Sequence, residues 1–273
     1  MKGIDLFHTH EWHPLAHIGV TNPFFALNAE TILYTWVALG IIVILTFFAR
    51  WAISYPESLS GHLVLLYIKS FMDMIHQSLN HFVYKYFAFI TSLFTFILVC
   101  NCLILIPGFE EPTKNLNTTL ALGLISFFYV QKEAIKAHGL SGYIQEYMKM
   151  PFTLFKYSTW TITSIAYVIF ASISNTIIGI LTFPLEALSK LATVISISFR
   201  LFGNIFGGSI ISTMFKQAVS GSFILQLLGI GINLIIALFF GLFEGFIQAF
   251  VFAILSLTYL SMGIQKGNSE DHA

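Results

Sequence analysis

Charged residues are scarce in this 273-residue sequence, and neither sign is in excess. Only 10% of the residues are Asp, Glu, Lys or Arg, against about a quarter in soluble domains, while 56% are hydrophobic. Lys plus Arg and Asp plus Glu number 13 each, so nothing in the composition indicates nucleic acid as a partner. The composition predicts an integral protein of a lipid membrane.

Cysteine is nearly absent. Cys100 and Cys102 stand in an apolar run without the partners of a metal or redox motif, so we interpret them as core or lipid-facing residues. Residues 1–30 lack the apolar core of a cleaved signal peptide and are predicted to form an exposed tail. Histidines at short spacings there could bind a transition metal, but no cysteine or defined carboxylate accompanies them. We therefore expect no metal and no cofactor. These histidines are His8, His10, His13 and His17.

Long apolar runs define the membrane segments, because about twenty apolar residues cross a hydrocarbon core of roughly 30 Å. We predict an all-α polytopic membrane protein with five to six membrane helices, including two long tilted helices near the C-terminus. Polar residues alternate with apolar ones from Leu59 to Tyr86, which predicts an amphipathic helix on the membrane surface. The predicted spans are 31–53, 87–106, 115–137 and 159–183, then the helix carrying Arg200 and a last helix over 223–262.

The placement of the few charges orients the chain. The connector 131–156 carries four lysines, whereas the loop after the second span carries Glu110, Glu111 and only Lys114. Since positive loops stay in the cytoplasm, the connector is expected inside and the acidic loop outside. The chain thus divides into an exposed tail, N-terminal helices with a surface helix, C-terminal helices with the Arg200 face, and a C-terminal tail. These divisions are 1–30, 31–158, 159–264 and 265–273.

The run 159–183 contains no charge and is long enough to cross the membrane. It is either a separate return crossing or a kinked or re-entrant extension of the helix that carries Arg200. We favour the extension, with the C-terminus in the cytoplasm.

Arg200 lies in the middle of an apolar segment, where an arginine costs about 2.5–3.5 kcal/mol on insertion scales and cannot lose its proton to escape the penalty. A structural ion pair or a hydrogen-bonded polar core is one explanation, and it is less favoured because Glu244 is a second ionisable group in the neighbouring apolar helix. At 3.6 residues per turn, polar residues form one stripe on each helix. The stripe on the Arg200 helix consists of Glu186, Lys190, Thr193, Arg200, Asn204 and Gly208. The stripe on the last helix consists of Asn233, Gly241, Glu244, Gln248 and Tyr259.

Three segments carry a resemblance to a known family. They are S-F-R-L-F-G-N-I-F-G-G at 198–208, P-L-E at 184–186, and I-Q-A-F-V-F-A-I-L-S-L-T-Y-L at 247–260. Together they resemble subunit a of F-type (rotary) ATP synthases, as does N-L-N-T-T-L-A-L-G-L at 115–124. The likeness covers the last ninety residues well, and the N-terminal third mainly in layout.

The resemblance implies a non-catalytic subunit of a bacterial plasma (inner) membrane that forms two ion half-channels beside a rotating ring. Its expected partners are the c-ring subunits, the stalk subunit b and the rest of the ATP synthase. Arg200 resembles the family's essential arginine, which faces the ring's carboxylates. A fixed cation there favours the ionised carboxylate and blocks direct leakage between the half-channels.

Other site residues follow from the same resemblance. The chain departs from the family at Ser209 and Gly241, where many members carry Glu or His. Glu244, one turn beyond Gly241, is the candidate substitute. The expected proton-path residues are Glu244, Gln248, Asn204, Glu186, Asn233 and Ser209.

An ion-coupled secondary transporter is the alternative function, but transporters usually show paired repeats and we find no internal repeat. A membrane enzyme would need a nucleophile or a metal set, and no histidine lies within the predicted spans. Whether the ion is a proton or sodium depends largely on the ring, which is another chain.

Overall fold

The computed structural model describes residues 11–12, 27–106, 109–147, 162–219 and 223–265, and these are almost entirely helical. The exception is a pair of two-residue antiparallel strands, β1 at Glu11–Trp12 and β2 at Leu27–Asn28, which the sequence did not predict. The predicted all-α class is confirmed. Most of the N-terminal segment, including its four histidines, lies outside the described residues.

Helix α1 covers Ala29–Ile53 and coincides with the first predicted span. Its start is capped by Asn28, whose side-chain oxygen accepts hydrogen bonds from the backbone N–H groups of Glu30 at 3.0 Å and Thr31 at 3.2 Å. Many of the large apolar side chains of α1 are exposed. Such a surface suits contact with lipid or with another apolar helix.

Helices α2, Leu59–Leu79, and α3, Tyr84–Cys102, form a packed pair. The hydroxyl of Tyr67 on α2 lies 2.8 Å from Oγ1 of Thr95 on α3. Helix α2 ends where Asn80 adopts a left-handed backbone conformation, with φ of 59°. The amphipathic helix predicted over 59–86 is therefore present but shorter, and the next helix begins before Tyr86.

A compact loop follows α3. The chain makes one-turn 3-10 helices at Leu103–Leu105 and Pro112–Lys114. Cys100 is fully buried near the end of α3 in a cluster with Ala38 and Leu103, so the interpretation of this cysteine as a core residue is confirmed.

Helix α4 covers Leu116–Tyr147 and is interrupted at Gly139, whose φ of 71° is not helical. This conformation favours glycine, because a Cβ would be strained there. The third predicted span falls within α4, but polar residues such as Lys132 and Glu133 lower the hydropathy of this helix.

Helix α5 covers Ile162–Ala218 and contains both the uncharged run and Arg200. Proline usually kinks or ends a helix, because it lacks an N–H and its ring crowds the preceding turn. Pro184 nevertheless stands inside this 57-residue element. The described part of the uncharged run thus belongs to the same helix as Arg200, which is the arrangement of an extension rather than of a separate crossing helix.

The last helical stretch consists of α6 at Phe223–Ala237, a π-helical segment at Leu238–Glu244, and α7 at Gly245–Gln265. A π segment has a wider turn than an α-helix. It therefore rotates the residues that follow it relative to those that precede it. The single stripe predicted from a constant 3.6-residue period does not run unbroken through this segment.

Within the described residues, four helices are long and apolar enough to cross a membrane: Ala29–Ile53, Tyr84–Leu105, Leu188–Ala218 and Gly229–Ile264. Helix α4, where we expected a further span, is not among them. The chain is a polytopic membrane protein with these helices as its candidate spans.

The chain forms two compact units, each made of separate stretches of sequence. The first consists of Met1–Ala121 and Ser198–Leu255, and the second of Leu122–Ile197 and Ser256–Ala273. Within the second unit, Ser126 donates a hydrogen bond to Ser256 at 2.8 Å. Arg200 and Glu244 both belong to the first unit, which therefore holds the candidate site.

Candidate ion-path site

Helix α5 and the last helical stretch pack side by side within the first unit. Gly208 lies against Phe240, and Ser212 Oγ is 2.5 Å from Asn233 Oδ1, to which it donates a hydrogen bond. Residue numbers rise along α5 from 208 to 212, whereas their partners fall from 240 to 233. The two helices are therefore antiparallel neighbours, with a small residue at their contact.

Replacing Gly208 with alanine should destabilise this helix pair. A Cβ at Gly208 would lie 2.6 Å from Cγ and 2.8 Å from Cβ of Phe240, which are atoms close to the backbone that cannot move away cheaply. Overpacking of this kind costs about 1–3 kcal/mol. The measurement is the thermal unfolding midpoint of the detergent-solubilised complex.

The matched control for this change is Gly231→Ala on α6, where a Cβ would meet nothing within 4 Å. Both changes add one methyl group to a helix and improve helix propensity equally. Equal midpoints for the two variants would contradict the close packing of Gly208 on Phe240.

Arg200 lies on an exposed face of α5. Leu201 and Ile205 are buried on the packed face. Gly203 and Gly207 lie on the side of Arg200, and a Cβ at either glycine would have no neighbouring atom within 4 Å. Among the side chains that the structure describes, no carboxylate lies within ion-pair distance of Arg200. The guanidinium thus stands on an apolar helix without an intrachain countercharge among these residues.

The contact of Gly208 with Phe240 fixes which residues of the two helices are level. Counting eight residues back from Gly208 and eight on from Phe240 places Arg200 roughly level with Gln248. Counting four residues in each direction places Asn204 roughly level with Glu244. The antiparallel packing therefore brings two pairs of predicted site residues to two successive levels.

Glu244 and Gln248 stand in different environments. Glu244 is half-buried at the end of the π segment, and within the described chain its carboxylate has neither a hydrogen bond nor an ion pair. Gln248 is only 3% exposed, and its Nε2 is buried without a hydrogen-bond partner in the described structure. Buried polar groups normally have a hydrogen-bond partner. The Nε2–H of Gln248 can therefore donate a hydrogen bond to water.

Ile104 packs against Gly241, one of the two positions where the sequence is expected to depart from the family it resembles. Gly241 is buried, and a Cβ there would collide with the side chain of Ile104 and lie 3.2 Å from the backbone oxygen of Asn101. A histidine or glutamate at this position would have no room. This packing is a physical reason for the departure at Gly241, and it leaves Glu244 as the nearest carboxylate along the helix.

Asn101 is a buried polar residue next to the candidate site that the sequence interpretation missed. It is fully buried, its Nδ2 donates to the backbone oxygen of Gly245 at 3.1 Å, and its Oδ1 accepts from Thr113 Oγ1 at 2.8 Å. A Cβ on Gly245 would lie 2.8 Å from that of Asn101, so glycine permits the close approach. The sequence signal was a polar residue in an apolar span, which is costly unless it is hydrogen-bonded.

The remaining predicted residues are placed as follows. Asn204 and Asn233 are half-buried, and Asn233 contacts Ser212. Ser209 is half-buried, and its backbone oxygen accepts a hydrogen bond from the Thr213 hydroxyl. Glu186 lies within α5, but its side chain is outside those that the structure describes. The helices that carry Arg200, Asn204, Asn233, Glu244 and Gln248 are thus neighbours within the first unit, while the side chain of Glu186 is not described.

Potential metal ligands do not cluster in the described part of the chain: no group of three or more His, Cys, Asp or Glu side chains is found there. The N-terminal histidines lie outside it. The described site therefore consists of one cation, one carboxylate and several amides and hydroxyls.

Comparison with known proteins agrees with the resemblance drawn from the sequence. The family model described as ATP synthase A chain matches residues 32–261. ATP synthase subunit a of Syntrophobacter fumaroxidans is 33% identical over 238 residues, which cover 86% of this chain and 84% of that protein. ATP synthase subunit a 2 of Acaryochloris marina is 28% identical over 251 residues, which cover 88% of this chain and 87% of that protein. The chain therefore belongs to the ATP synthase A chain family and is a non-catalytic, multi-pass membrane subunit of the ATP synthase complex.

Proposed function

We propose that this chain forms two proton half-channels beside a ring of c-subunits and couples proton passage to ring rotation through Arg200. The observation that carries the proposal is the position of Arg200 on an exposed face of an apolar helix. A charge in such a place requires a partner of opposite sign. A ring carboxylate at the same depth in the membrane would supply it.

The surroundings of Arg200 suit the close approach of another helix. Gly203 and Gly207 leave open space on the same face, and small residues allow helix backbones to come near each other in membranes. Phe199, next to Arg200 in the sequence, and Met214, about four turns further along α5, are large, apolar and exposed. An outer helix of the ring could therefore pack here with its carboxylate against the guanidinium.

The electrostatic role of Arg200 follows from its permanent charge. A cation within about 4–6 Å favours the ionised form of a carboxyl group, so each ring carboxyl must release its proton before it passes Arg200. The same charge repels protons that would otherwise move directly between the half-channels. Proton flow must then turn the ring.

The proton path on this chain follows the polar groups of the α5 pair. Glu244 can accept and release a proton, while Asn233, Gln248 and Asn204 can hold water by hydrogen bonding. We assign these residues to the half-channel from the outer side, with Ser209 on the facing helix. Glu186, nearer the start of α5, is proposed for the half-channel to the cytoplasm.

Charge placement supports a cytoplasmic C-terminus in a bacterial plasma membrane. Within the second unit, His138 on the lysine-bearing connector lies 2.8 Å from the backbone oxygen of Gly263, near the end of α7. Within the first unit, Lys216 at the end of α5 is close enough to Glu111 in the acidic loop to lower the pKa of its carboxyl group. The C-terminus is thus assigned to the same side of the membrane as the basic connector, and the turn after α5 to the same side as the acidic loop.

The proposed partners are the c-ring, the stalk subunit b and the remaining ATP synthase subunits. The ring is assigned to the exposed face of α5 that carries Arg200. Subunit b must bind elsewhere, and the exposed apolar surface of α1 is available for it or for lipid.

Disulfide cross-linking tests the position of the ring. In a chain with Cys100 and Cys102 replaced by alanine, Gly207→Cys should form a disulfide with a cysteine on the ring's outer helix at the depth of Gly207, about two turns from the ring carboxylate, because Gly207 adjoins the open face of α5. The product is measured as a higher-mass band on non-reducing gels of membranes treated with an oxidant.

Ser212→Cys is the matched control, since Ser212 faces the last helical stretch and is buried. It should give no cross-linked product under the same conditions. Cross-linking of Ser212→Cys but not of Gly207→Cys would place the ring on a different face and contradict the proposal.

A further inference from the structure

The acidic loop between α3 and α4 contains two adjacent glutamates in very different environments. The side chain of Glu110 is 57% exposed and pairs with Lys114 at 3.2 Å. Glu111 is only 6% exposed and lies next to Pro112 and Thr113, which are also buried. A carboxyl group in a surface loop is rarely buried without a reason.

Buried polar atoms connect this loop to the last helical stretch. Thr113 follows Glu111 by two residues and donates to Asn101, which in turn donates to the backbone oxygen of Gly245. Glu244 immediately precedes Gly245, and the unpaired amide nitrogen of Gln248 lies one turn further on. Hydrogen bonds thus link Thr113 of the loop, through Asn101, to the backbone of Gly245, which adjoins Glu244 in the sequence, all within the first compact unit.

The charges around Glu111 leave both of its protonation states accessible. The pKa of Glu111 is raised to about 7 in total: burial raises it most, a backbone hydrogen bond and the cations Lys114 and Lys216 lower it, and the charge of Glu110 raises it. A carboxyl group with these neighbours can gain and lose a proton near neutral pH. The titratable groups on the elements packed around this loop, or electrostatically coupled to it, are Glu30, Tyr34, Cys102, Glu110, Lys114 and Lys216.

We propose that Glu111 is the proton-loading group at the outer mouth of the half-channel, and that it passes protons toward Glu244. This assignment rests on the function proposed above. In each cycle the carboxylate takes one proton from the outer water and becomes neutral, then gives that proton to the path and regains its negative charge. The polar atoms of Thr113 and Asn101 offer hydrogen-bonding positions for water along the way.

Replacing Glu111 with glutamine tests the assignment, because the amide has a similar shape but cannot carry a proton. In vesicles with the whole ATP synthase, driven by a fixed potassium diffusion potential, Glu111→Gln should lower the rate of ATP synthesis by about tenfold or more. The pH is varied equally on both sides of the membrane. In the wild type the rate of ATP synthesis should fall as the pH rises through about 7, because the carboxyl group of Glu111 then loses its proton and no longer loads the path. The Glu111→Gln variant should not show this fall in rate, the pH step.

Glu110→Gln is the matched control, since it removes the same charge from the same loop at an exposed position. It should keep most of the wild-type rate and still show the pH step, moved to lower pH because the charge of Glu110 raises the pKa of Glu111. Glu111→Asp keeps a carboxyl group and should retain most of the rate together with the pH step. That rescue would not follow if the glutamate side chain only filled space.

A Glu111→Gln complex with a normal rate and pH profile would overturn the assignment, and so would an equal loss in Glu110→Gln. If Glu111→Gln does not accumulate in the membrane, the test uses the pH profile of Glu111→Asp instead. Absence of the pH step in Glu111→Asp would exclude Glu111 as the loading group. Arg200→Ala keeps the two proposals apart: if it uncouples the complex while Glu111→Gln is normal, only the loading role fails.

Discussion

Arg200→Ala should abolish proton pumping driven by ATP hydrolysis while leaving the ATP synthase assembled. Alanine removes the fixed cation, so a ring carboxyl would keep its proton as it passes this helix. Rotation would then no longer require proton release. The measurement is acidification of inverted vesicles on addition of ATP, followed with a pH-sensitive dye.

Loss of assembly would not explain this result. An arginine in the middle of a membrane helix costs about 2.5–3.5 kcal/mol on insertion scales, so alanine should favour insertion. Arg200 is also exposed, and the described structure gives it no ion pair that the change would break. The amount of the subunit in the membrane, measured by immunoblot, should equal that of the wild type.

Arg50→Ala is the matched control, because Arg50 is the other arginine in the sequence and stands in the last turn of α1. It should pump normally. Arg200→Lys should also lose most of the coupling, because a lysine can give up its proton in an apolar site whereas an arginine cannot. Unimpaired coupling in Arg200→Ala would contradict the proposed function.

Glu244→Gln is expected to have the second largest effect, a decrease in ATP-driven pumping of about tenfold or more. The carboxylate is half-buried near the level of Asn204, and Ile104 leaves no room for a substitute at Gly241. Glutamine preserves the shape of the side chain but cannot accept a proton. The same dye assay measures the initial rate.

Glu57→Gln provides the control, since Glu57 is an exposed glutamate in the turn after α1. It should pump at the wild-type rate. Normal pumping by Glu244→Gln would exclude this residue as a proton relay. The proton path would then depend on water hydrogen-bonded to Asn101 and Gln248.

The candidate spans were predictable because span length and charge scarcity are local properties. About twenty apolar residues are needed wherever the chain crosses, and α1 begins and ends within two residues of the predicted span 31–53. The third predicted span, 115–137, is not among the candidate spans of the described residues, because its apolar run is short and lysine and glutamate follow within α4. Helix α5 extends through Pro184, which a local rule for proline would have placed at a boundary.

The site residues were only partly predictable. Arg200 and Glu244 were recognisable, because an ionisable group in an apolar run is conspicuous in any sequence. Asn101 was missed, since its role depends on Gly245, 144 positions away. Glu111 was assigned only to an acidic loop on the outer side, and its burial depends on how residues 109–115 fold against α1 and α3.

The sequence by itself determined the membrane class, the position of Arg200 and the family, because apolar runs, intramembrane charges and contiguous motifs are encoded over short distances. The tertiary structure decided which polar groups meet. The antiparallel contact of Gly208 with Phe240 places Arg200 level with Gln248, the π segment rotates the residues after Glu244, and Ile104 closes Gly241. Each of these results depends on the packing of helices distant in sequence, which a periodic pattern along one helix does not contain.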